Sequence, residues 1–260
     1  MKVGIIGVGL IGGSIARALA RHAIPLWMDD ADAPTRRAIE ALGLGTIGPW
    51  TDWIREVDAV AIAVPLPRVP EVVSQVVPMM RQDAALVELS SLKVPLLPSL
   101  LDAARRVRVL SLHLMAGREV SGFGSASPDL FNAAPAIAVD LNVPLDASAL
   151  NWWRESLGTA DFVVWDAVRH DAAMAWISQL PYLVSRALTV VTEREASGAL
   201  AAAGPGFRDT ARVGRSDLSA VLPMLRTNHA EVSRALLAFE STLRGWRERL
   251  NRPGEEDWND

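Results

Sequence analysis

The sequence predicts an α/β N-terminal domain with a doubly wound, mostly parallel sheet, followed by an all-α C-terminal domain. Short apolar runs alternate with helical patterns as far as about residue 165. Beyond that point the β-rich runs stop and long helical patterns take over. A glycine-rich turn follows the first apolar run. Alternating strands and helices are typical of a parallel sheet covered on both faces, whose ligand lies at the carboxyl ends of the strands.

Seven runs have the composition of strands. They are residues 2–6, 24–28, 58–64, 84–89, 107–112, 136–139 and 162–165. The run at 58–64 (DAVAIAV) is continuously apolar, as expected for a parallel strand covered on both faces. Apolar residues recur at helical spacing over residues 10–21 and again over about 146–157, which predicts helices there.

A glycine motif follows the first predicted strand. The sequence GVGLIG at residues 7–12 matches G-x-G-x-x-G between a strand and a helix, the context in which this pattern indicates a dinucleotide site. Gly7 allows the tight turn, Gly9 lets a pyrophosphate approach the backbone, and Gly12 lets the helix pack on the strand. We therefore predict a Rossmann-type domain. The predicted cofactor contacts, including two residues that follow the strand at 58–64, are Gly7, Val8, Gly9, Leu10, Ile11, Gly12, Val64 and Pro65.

An acidic residue ends the second predicted strand. Asp29 lies where a carboxylate accepts hydrogen bonds from a ribose 2′-hydroxyl, and Asp30 could take the same role. A carboxylate there repels a 2′-phosphate, so the predicted cofactor is NAD. NADP stays as the lesser alternative because Arg36 and Arg37 follow closely.

The chain is predicted to divide near residue 166. Residues 1–165 form the dinucleotide-binding domain, residues 166–250 a helical substrate and dimerisation domain, and residues 251–260 a polar, flexible tail. The helical block has long amphipathic patterns at 167–196 and 218–250. Because so small a block buries two such helices poorly by itself, we expect a homodimer formed through it. No further regulatory domain is expected.

Composition excludes several classes of function. The formal net charge is −4, so no basic surface for nucleic acid is expected. The chain has no cysteine, which excludes disulfides, iron–sulfur clusters and thiol catalysis. Its four histidines lack metal-ligand spacing, so no metal site is predicted. There is no run of 18 apolar residues and no signal-peptide pattern, so we expect a cytoplasmic protein without membrane contact.

Further polar segments follow the predicted strands and recur in the helical half. They are SSLK at 90–93, HLMAGREVSGF at 113–123 and GFRDTARVGRSD at 206–217. With GVGLIGGS at 7–14 and with HD at 170–171 followed by SQLPY at 178–182, they resemble the prephenate/arogenate dehydrogenase family of tyrosine biosynthesis. That family has S-V-K, H-P-M-A-G-x-E-x-S-G, H-D then S-H-L-P-H, and G-F-[RK]-D-x-T-R-[IV]-A-x-S-D. The matches occur in the same order over nearly the whole chain.

The resemblance implies an oxidative decarboxylation of prephenate or arogenate, in which NAD takes hydride from C4 and the ring carboxylate leaves as CO2. His113 would accept the proton of the C4 hydroxyl, a role suited to a neutral imidazole. Ser91 would orient that hydroxyl or His113, and Arg212 would bind a substrate carboxylate through its planar guanidinium. The implied substrate-binding residues are Arg212, Gln179, Tyr182, Ser178 and Glu119.

Two other residues in these motifs are given structural roles. Lys93 is expected to cap a helix or to contact a phosphate. His170, with the aspartate that follows it, is expected to start a helix at the domain boundary and to take no part in catalysis.

Three positions depart from the family pattern. Leu114 replaces the proline that follows the family's histidine, which removes a fixed φ angle. Gln179 and Tyr182 replace two pocket histidines, so the pocket loses up to two potential positive charges. A less cationic pocket favours a substrate that has its own ammonium group. Arogenate and an amino-substituted prephenate analogue of specialised metabolism both fit that expectation.

Two alternatives remain open at this point. Another dehydrogenase of the same broad superfamily, acting on a β-hydroxy acid or an imine, would share the glycine motif. It would not share the segments around His113 and Arg212. A non-catalytic NAD-binding regulatory protein would explain the substitutions, but the presence of Ser91, His113 and Arg212 argues against it.

Overall fold

The computed structural model describes residues 1–216 and 218–251, apart from the side chains of residues 219 and 220. The chain forms two compact units. The N-terminal unit comprises Met1–His170 with Ser216–Met224, and the helical unit comprises Asp171–Arg215 with the chain from Leu225 onward. The predicted tail falls outside the described residues except for Asn251.

The N-terminal unit is built on one eight-stranded sheet. Its strands are β1 Val3–Ile6, β2 Leu26–Asp29, β3 Thr46–Ile47, β4 Ala59–Ile62, β5 Ala85–Glu88, β6 Arg108–Leu114, β7 Ala136–Asp140 and β8 Phe162–Asp166. Their order is β3-β2-β1-β4-β5-β6-β7-β8, and every neighbouring pair is parallel except β6 with β7. The predicted doubly wound, mostly parallel sheet is confirmed. The chain reverses direction across the sheet between β1 and β4, where doubly wound folds bind their ligand.

Helices cover this sheet. They are α1 Leu10–Arg21, α2 Ala33–Ala41, α3 Trp50–Trp53, α4 Val69–Val76, α5 Leu97–Ala103 and α6 Ala147–Leu157. Helix α7, Ala167–Met174, follows β8 and includes the boundary between the two units. Strands β1, β4 and β5 are buried along their whole length, as expected for parallel strands covered on both faces. The predicted helix near 146–157 is observed, and Asp146 caps it by accepting a hydrogen bond from the backbone N–H of Ala149.

The two long helical patterns are each interrupted. Helix α7 is followed by a π-helical turn at Ala175–Gln179 before the next helix begins. The remaining helices are α8 Leu180–Glu195, α9 Pro205–Arg212, α10 Leu218–Thr227 and α11 His229–Leu250. Pro181 lies in the first turn of α8 and lacks a backbone N–H, so the turn before it adopts wider spacing. The second pattern divides at Asn228, so each single predicted helix is two in the structure.

Candidate active site

The glycine turn between β1 and α1 has little room for side chains. Gly7 has φ +87°, and a Cβ there would lie 2.8 Å from the carbonyl oxygen of Ala63. A Cβ on Gly12 would overlap the carbonyl oxygen of Gly7. By contrast, a Cβ built on Gly9 would have no described residue within 4 Å other than its chain neighbours. The turn is therefore packed against the end of β4 on one side and open at Gly9.

Helix α1 begins at this opening. Its N-cap residue is Gly9, which has no side chain to bond the first N–H groups of the helix. Uncapped N–H groups and the positive end of the helix dipole together attract phosphate. The turn thus has the space and the donors that a pyrophosphate requires. The predicted contacts Val64 and Pro65 directly follow Ala63, against which Gly7 packs.

The two acidic residues at the end of β2 point in different directions. The Asp29 carboxylate accepts a hydrogen bond from the backbone N–H of Trp50 at 3.0 Å. The Asp30 carboxylate accepts from the N–H of Val8, inside the glycine turn, at 2.6 Å and from the N–H of Asp32 at 2.8 Å. Asp29 was the residue expected at the ribose, but it is the Asp30 carboxylate that lies against the glycine turn.

Arg36 lies beside the same acid. Its guanidinium donates hydrogen bonds to the carbonyl oxygens of Asp30 and Ala31, so it is fastened to the backbone. Arg37 is exposed. Among Asp29, Asp30, Arg36 and Arg37, the charged group that contacts the glycine turn is therefore the carboxylate of Asp30.

A buried ion pair occupies the end of β5. Glu88 and Lys93 both have fully buried side chains, and Nζ of Lys93 lies 2.7 Å from Oε2 of Glu88. The backbone N–H of Ser90 donates to the other carboxylate oxygen. Lys93 precedes a short 3₁₀ turn but makes no side-chain cap there, contrary to expectation, because its ammonium group points to Glu88.

Ser91 lies between β5 and this 3₁₀ turn and is partly buried. Its hydroxyl donates to the sulfur of Met224, at 2.6 Å, in the second half of α10. Within the described part of the N-terminal unit, Ser91 does not form the hydrogen bond to His113 that was one of its expected roles. The sequence did not indicate a role for Met224.

His113 lies near the carboxyl end of β6 and is partly buried. Its Nδ1 lies 2.8 Å from Nε2 of His170, a fully buried residue of α7. Burial of the ring, the positive charge of Lys93 and the neighbouring His170 hold the pKa of His113 well below its usual value of 6.5. His113 is therefore neutral at physiological pH, as its expected role requires.

The contact with His170 assigns the two nitrogens of His113 different tasks. A neutral imidazole has one N–H and one lone pair. If Nδ1 donates its hydrogen to His170, then Nε2 has the lone pair and can accept a proton. His170 was expected only to start a helix. The structure shows it in hydrogen-bond contact with His113.

Two of the predicted pocket residues are buried in the helical unit. Gln179 ends the π-helical turn, and its carbonyl oxygen accepts a hydrogen bond at 2.7 Å from the side chain of Asn228. The same amide nitrogen of Asn228 donates to the carbonyl oxygen of Asp171. Tyr182 is buried, whereas Ser178 is exposed. One hydrogen-bonding atom of Gln179, its side-chain oxygen, is therefore used to link the π-helical turn to Asn228, which precedes α11.

Arg212 ends α9 in the helical unit, and its side chain is exposed. The turn after it is tied to α8, because Ser185 accepts from the N–H of Gly214 at 2.7 Å and donates to the carbonyl oxygen of Thr210 at 2.6 Å. A Cβ on Gly214 would lie 2.6 Å from the backbone of Ser185. This close packing sets the direction in which α9 ends. Glu119 lies in the N-terminal unit, in the loop after β6.

Two family models cover most of the chain. One, described as prephenate dehydrogenase, nucleotide-binding domain, matches residues 15–161. The other, described as prephenate dehydrogenase, dimerization domain, matches residues 166–260. The chain belongs to the prephenate dehydrogenase family. The resemblance inferred from the sequence motifs is confirmed.

Similar proteins agree with this assignment. A Streptomyces niveus protein, named probable prephenate dehydrogenase NovF, is 33% identical over 260 residues, covering 93% of this chain and 68% of that protein. The crystal structure of a Synechocystis arogenate dehydrogenase is 26% identical with a TM-score of 0.76, covering 94% of this chain and 90% of that one. The crystal structure of prephenate dehydrogenase from A. aeolicus, in complex with hydroxyphenyl propionate and NAD+, is 23% identical with a TM-score of 0.84. It covers 98% of this chain and 93% of that chain, and shows the shared fold.

Polar groups that contact the predicted site residues, Glu88 and His170, were not predicted as part of the site. Glu88 was not named, since it lies outside the SSLK segment, although it is only five residues before Lys93. His170 was named from the H-D motif, but only for a structural role. Among the described residues, no three His, Cys, Asp or Glu side chains are arranged to bind a metal. In the same described part of the chain, no helix combines the length and hydropathy needed to cross a membrane.

Proposed function

We propose that the chain is an NAD-dependent dehydrogenase that oxidatively decarboxylates prephenate or arogenate to a 4-hydroxyphenyl product, a step of tyrosine biosynthesis. The observation that supports this most directly is the neutral His113 at the end of β6, with Nδ1 on His170. Membership of the prephenate dehydrogenase family supplies the reaction class. The Synechocystis and A. aeolicus structures are named for arogenate and prephenate respectively.

The residues of the glycine turn fit NAD, the cofactor that the A. aeolicus structure is described as containing. The pyrophosphate would lie over Gly9 and receive hydrogen bonds from the start of α1. The Asp30 carboxylate would accept the ribose hydroxyls, replacing Asp29 in our expectation, and its charge would disfavour the 2′-phosphate of NADP. When bound, NAD supplies the acceptor for the hydride that leaves C4.

His113 would remove the proton of the C4 hydroxyl as the hydride leaves. Nε2 accepts this proton, while Nδ1 donates to His170 and keeps the ring in one orientation. Loss of the ring carboxylate as CO2 makes the ring aromatic and leaves its electron pair on the C4 oxygen as a phenolate. Because the pKa of His113 is low, the imidazolium would readily return the proton to that oxygen, which gives the 4-hydroxyphenyl product and the neutral imidazole.

The remaining sequence-based assignments stay proposals. Arg212 would bind a substrate carboxylate through its guanidinium, and Ser91 would orient the substrate hydroxyl. The proposed contacts to the rest of the substrate are Gln179, Tyr182, Ser178 and Glu119. The proposed domains are residues 1–165 and 166–250, with a tail at 251–260. A cytoplasmic location also remains a prediction.

We further propose that the chain is a homodimer formed through the helical unit. The model matching residues 166–260 is described as a dimerization domain. Large apolar side chains of this unit are exposed, among them Trp176 at 43%, Ile177 at 56% and Leu237 at 66%. A second copy would cover them. A monomeric mass in light scattering would contradict this proposal.

Turnover assays test the proposed reaction. The purified chain with NAD and either prephenate or arogenate is expected to produce NADH and CO2. We expect His113→Ala to lower kcat by about 10²- to 10⁴-fold, since general base catalysis contributes that much. His22→Ala, a substitution at an exposed histidine, should leave kcat unchanged. No NADH with either substrate would refute the proposal.

The preferred substrate follows from two substitutions. Because Gln179 and Tyr182 are neutral where the family has histidines, we expect a higher kcat/KM for arogenate, or another amine-bearing analogue, than for prephenate. A strong preference for prephenate would overturn this expectation and leave the proposed reaction intact.

A further inference from the structure

The ion pair between Glu88 and Lys93 lies entirely within the protein. Both side chains have no exposed surface, and their charged atoms are 2.7 Å apart. Moving two charges out of water costs several kcal/mol for each ion, and the attraction between them offsets this only when further hydrogen bonds satisfy both groups. Such a pair is a weak source of stability, so its place beside the candidate active site suggests another role.

The carboxylate of Glu88 joins two neighbouring segments. One of its oxygens accepts from the backbone N–H of Ser90, in the turn that follows β5. The other accepts from the hydroxyl of Ser111, in β6, at 2.7 Å. Glu88 and Lys93 thus link the two ends of the segment that includes Ser91, and the hydrogen bond from Ser111 links this segment to β6.

The ammonium group of Lys93 reaches the same strand one residue further on. Besides Glu88, it donates to the carbonyl oxygen of Leu112 at 2.9 Å. Leu112 directly precedes His113, so this hydrogen bond restrains the peptide unit from which the imidazole projects. Lys93 therefore contacts the backbone on which the orientation of His113 depends.

We propose that Lys93, with Glu88 as its counter-ion, is a positioning residue for His113 that fixes the imidazole at the end of β6. This proposal rests on the proposed function, in which His113 is the base. In this role the ion pair orients the imidazole that accepts the proton. A lysine that capped a helix or contacted a phosphate, as the sequence led us to expect, would not do so.

The charges around His113 agree with this role. In the N-terminal unit, Lys93 and Glu88 approach from the end of β5, His170 approaches from α7, and β7 places the apolar Ile137 opposite. The positive charge of Lys93 lowers the pKa of His113, in the same direction as burial does. Glu88, whose carboxylate lies 2.7 Å from that ammonium group, partly compensates its charge.

The test compares charge removal at this pair with the same change elsewhere. Lys93→Met should move the acidic limb of the kcat/KM profile upward by roughly one pH unit, because it removes a nearby positive charge and leaves Glu88 in place. The double variant Glu88→Gln with Lys93→Met should shift it upward by less. Lys2→Met alters the only other lysine, which is exposed, and should shift nothing. A Lys93→Met profile that superimposes on the wild type would overturn the proposal.

A measurement on the unmodified chain gives a second test. In an NMR titration, the His113 ring should stay neutral when the pH falls below 6.5, the usual pKa of histidine. Protonation of His113 at or above pH 6.5 would also overturn the proposal. This experiment needs neither turnover nor a folded variant, so its result is independent of whether prephenate or arogenate is the substrate.

Discussion

Replacing Asp30 by alanine should weaken NAD binding much more than replacing Asp29 does. The carboxylate of Asp30 lies 2.6 Å from the backbone nitrogen of Val8, within the turn where the pyrophosphate would bind. The carboxylate of Asp29 instead lies 3.0 Å from the nitrogen of Trp50. Because the ribose adjoins the pyrophosphate, the carboxylate that lies at the glycine turn, Asp30, is the acceptor expected for its hydroxyls.

The size of the effect follows from the bonds lost. A hydrogen bond to a charged group contributes about 1.5–3 kcal/mol, so losing one such bond from the ribose should raise Kd by about 10- to 150-fold. Asp30→Ala also removes the acceptor for Val8, which adds to the loss by loosening the turn. Asp29→Ala should lower the free energy of unfolding by about 1–3 kcal/mol, since it leaves the Trp50 N–H without its acceptor. We expect it to change Kd by less than about threefold.

Calorimetric titration of NAD and of NADP into the wild type and both variants measures these constants, and thermal unfolding shows that each variant is folded. Asp30→Ala should also reduce the difference in Kd between NAD and NADP, because it removes the negative charge that repels the 2′-phosphate. If Asp29→Ala weakened NAD binding as much as Asp30→Ala, the argument from carboxylate direction would be refuted.

Two further predictions concern the histidine pair. His170→Ala should lower kcat by roughly 10- to 100-fold with little change in NAD affinity, because the His113 ring loses the partner that orients it. Equal kcat values for the variant and the wild type in steady-state assays would contradict this. His229→Ala, at an exposed histidine, is the control. The second prediction is that the free energy of unfolding decreases as the pH is lowered below 6.5. Burial lowers the pKa of His113 in the folded state, so the unfolded chain binds a proton there that the folded chain does not. The slope should approach about 1.4 kcal/mol per pH unit. Urea unfolding at two pH values, one on either side of 6.5, checks it, and His113→Gln should remove that component.

Sequence patterns predicted the strands because each is a run of local composition. All seven predicted runs correspond to observed strands, with ends shifted by one or two residues. The strand missed, β3 at Thr46–Ile47, has two residues and is too short to show any period. The interruption at Ala175–Gln179 was missed because a π-helical turn keeps almost the same pattern of apolar residues as an α-helix.

The site was predicted less completely than the fold. His113 was named from its motif, and its neutral state was expected. The contact of its ring with His170, 57 residues away, was not expected. Lys93 was assigned to a helix cap or a phosphate, because its motif does not show that the side chain turns back to Glu88. In each case the missing information is the direction of a side chain.

The sequence by itself determined the order of strands and helices, the glycine turn, the family and most of the polar residues at the ends of the strands. These follow from local periodicity and from residue types that few other positions tolerate. Only the tertiary structure decided between Asp29 and Asp30, joined His113 to His170 and buried Lys93 against Glu88. Adjacent residues at the end of a strand point to opposite sides, and bonds between distant residues depend on how the elements pack. Neither property is encoded in the pattern of a single segment.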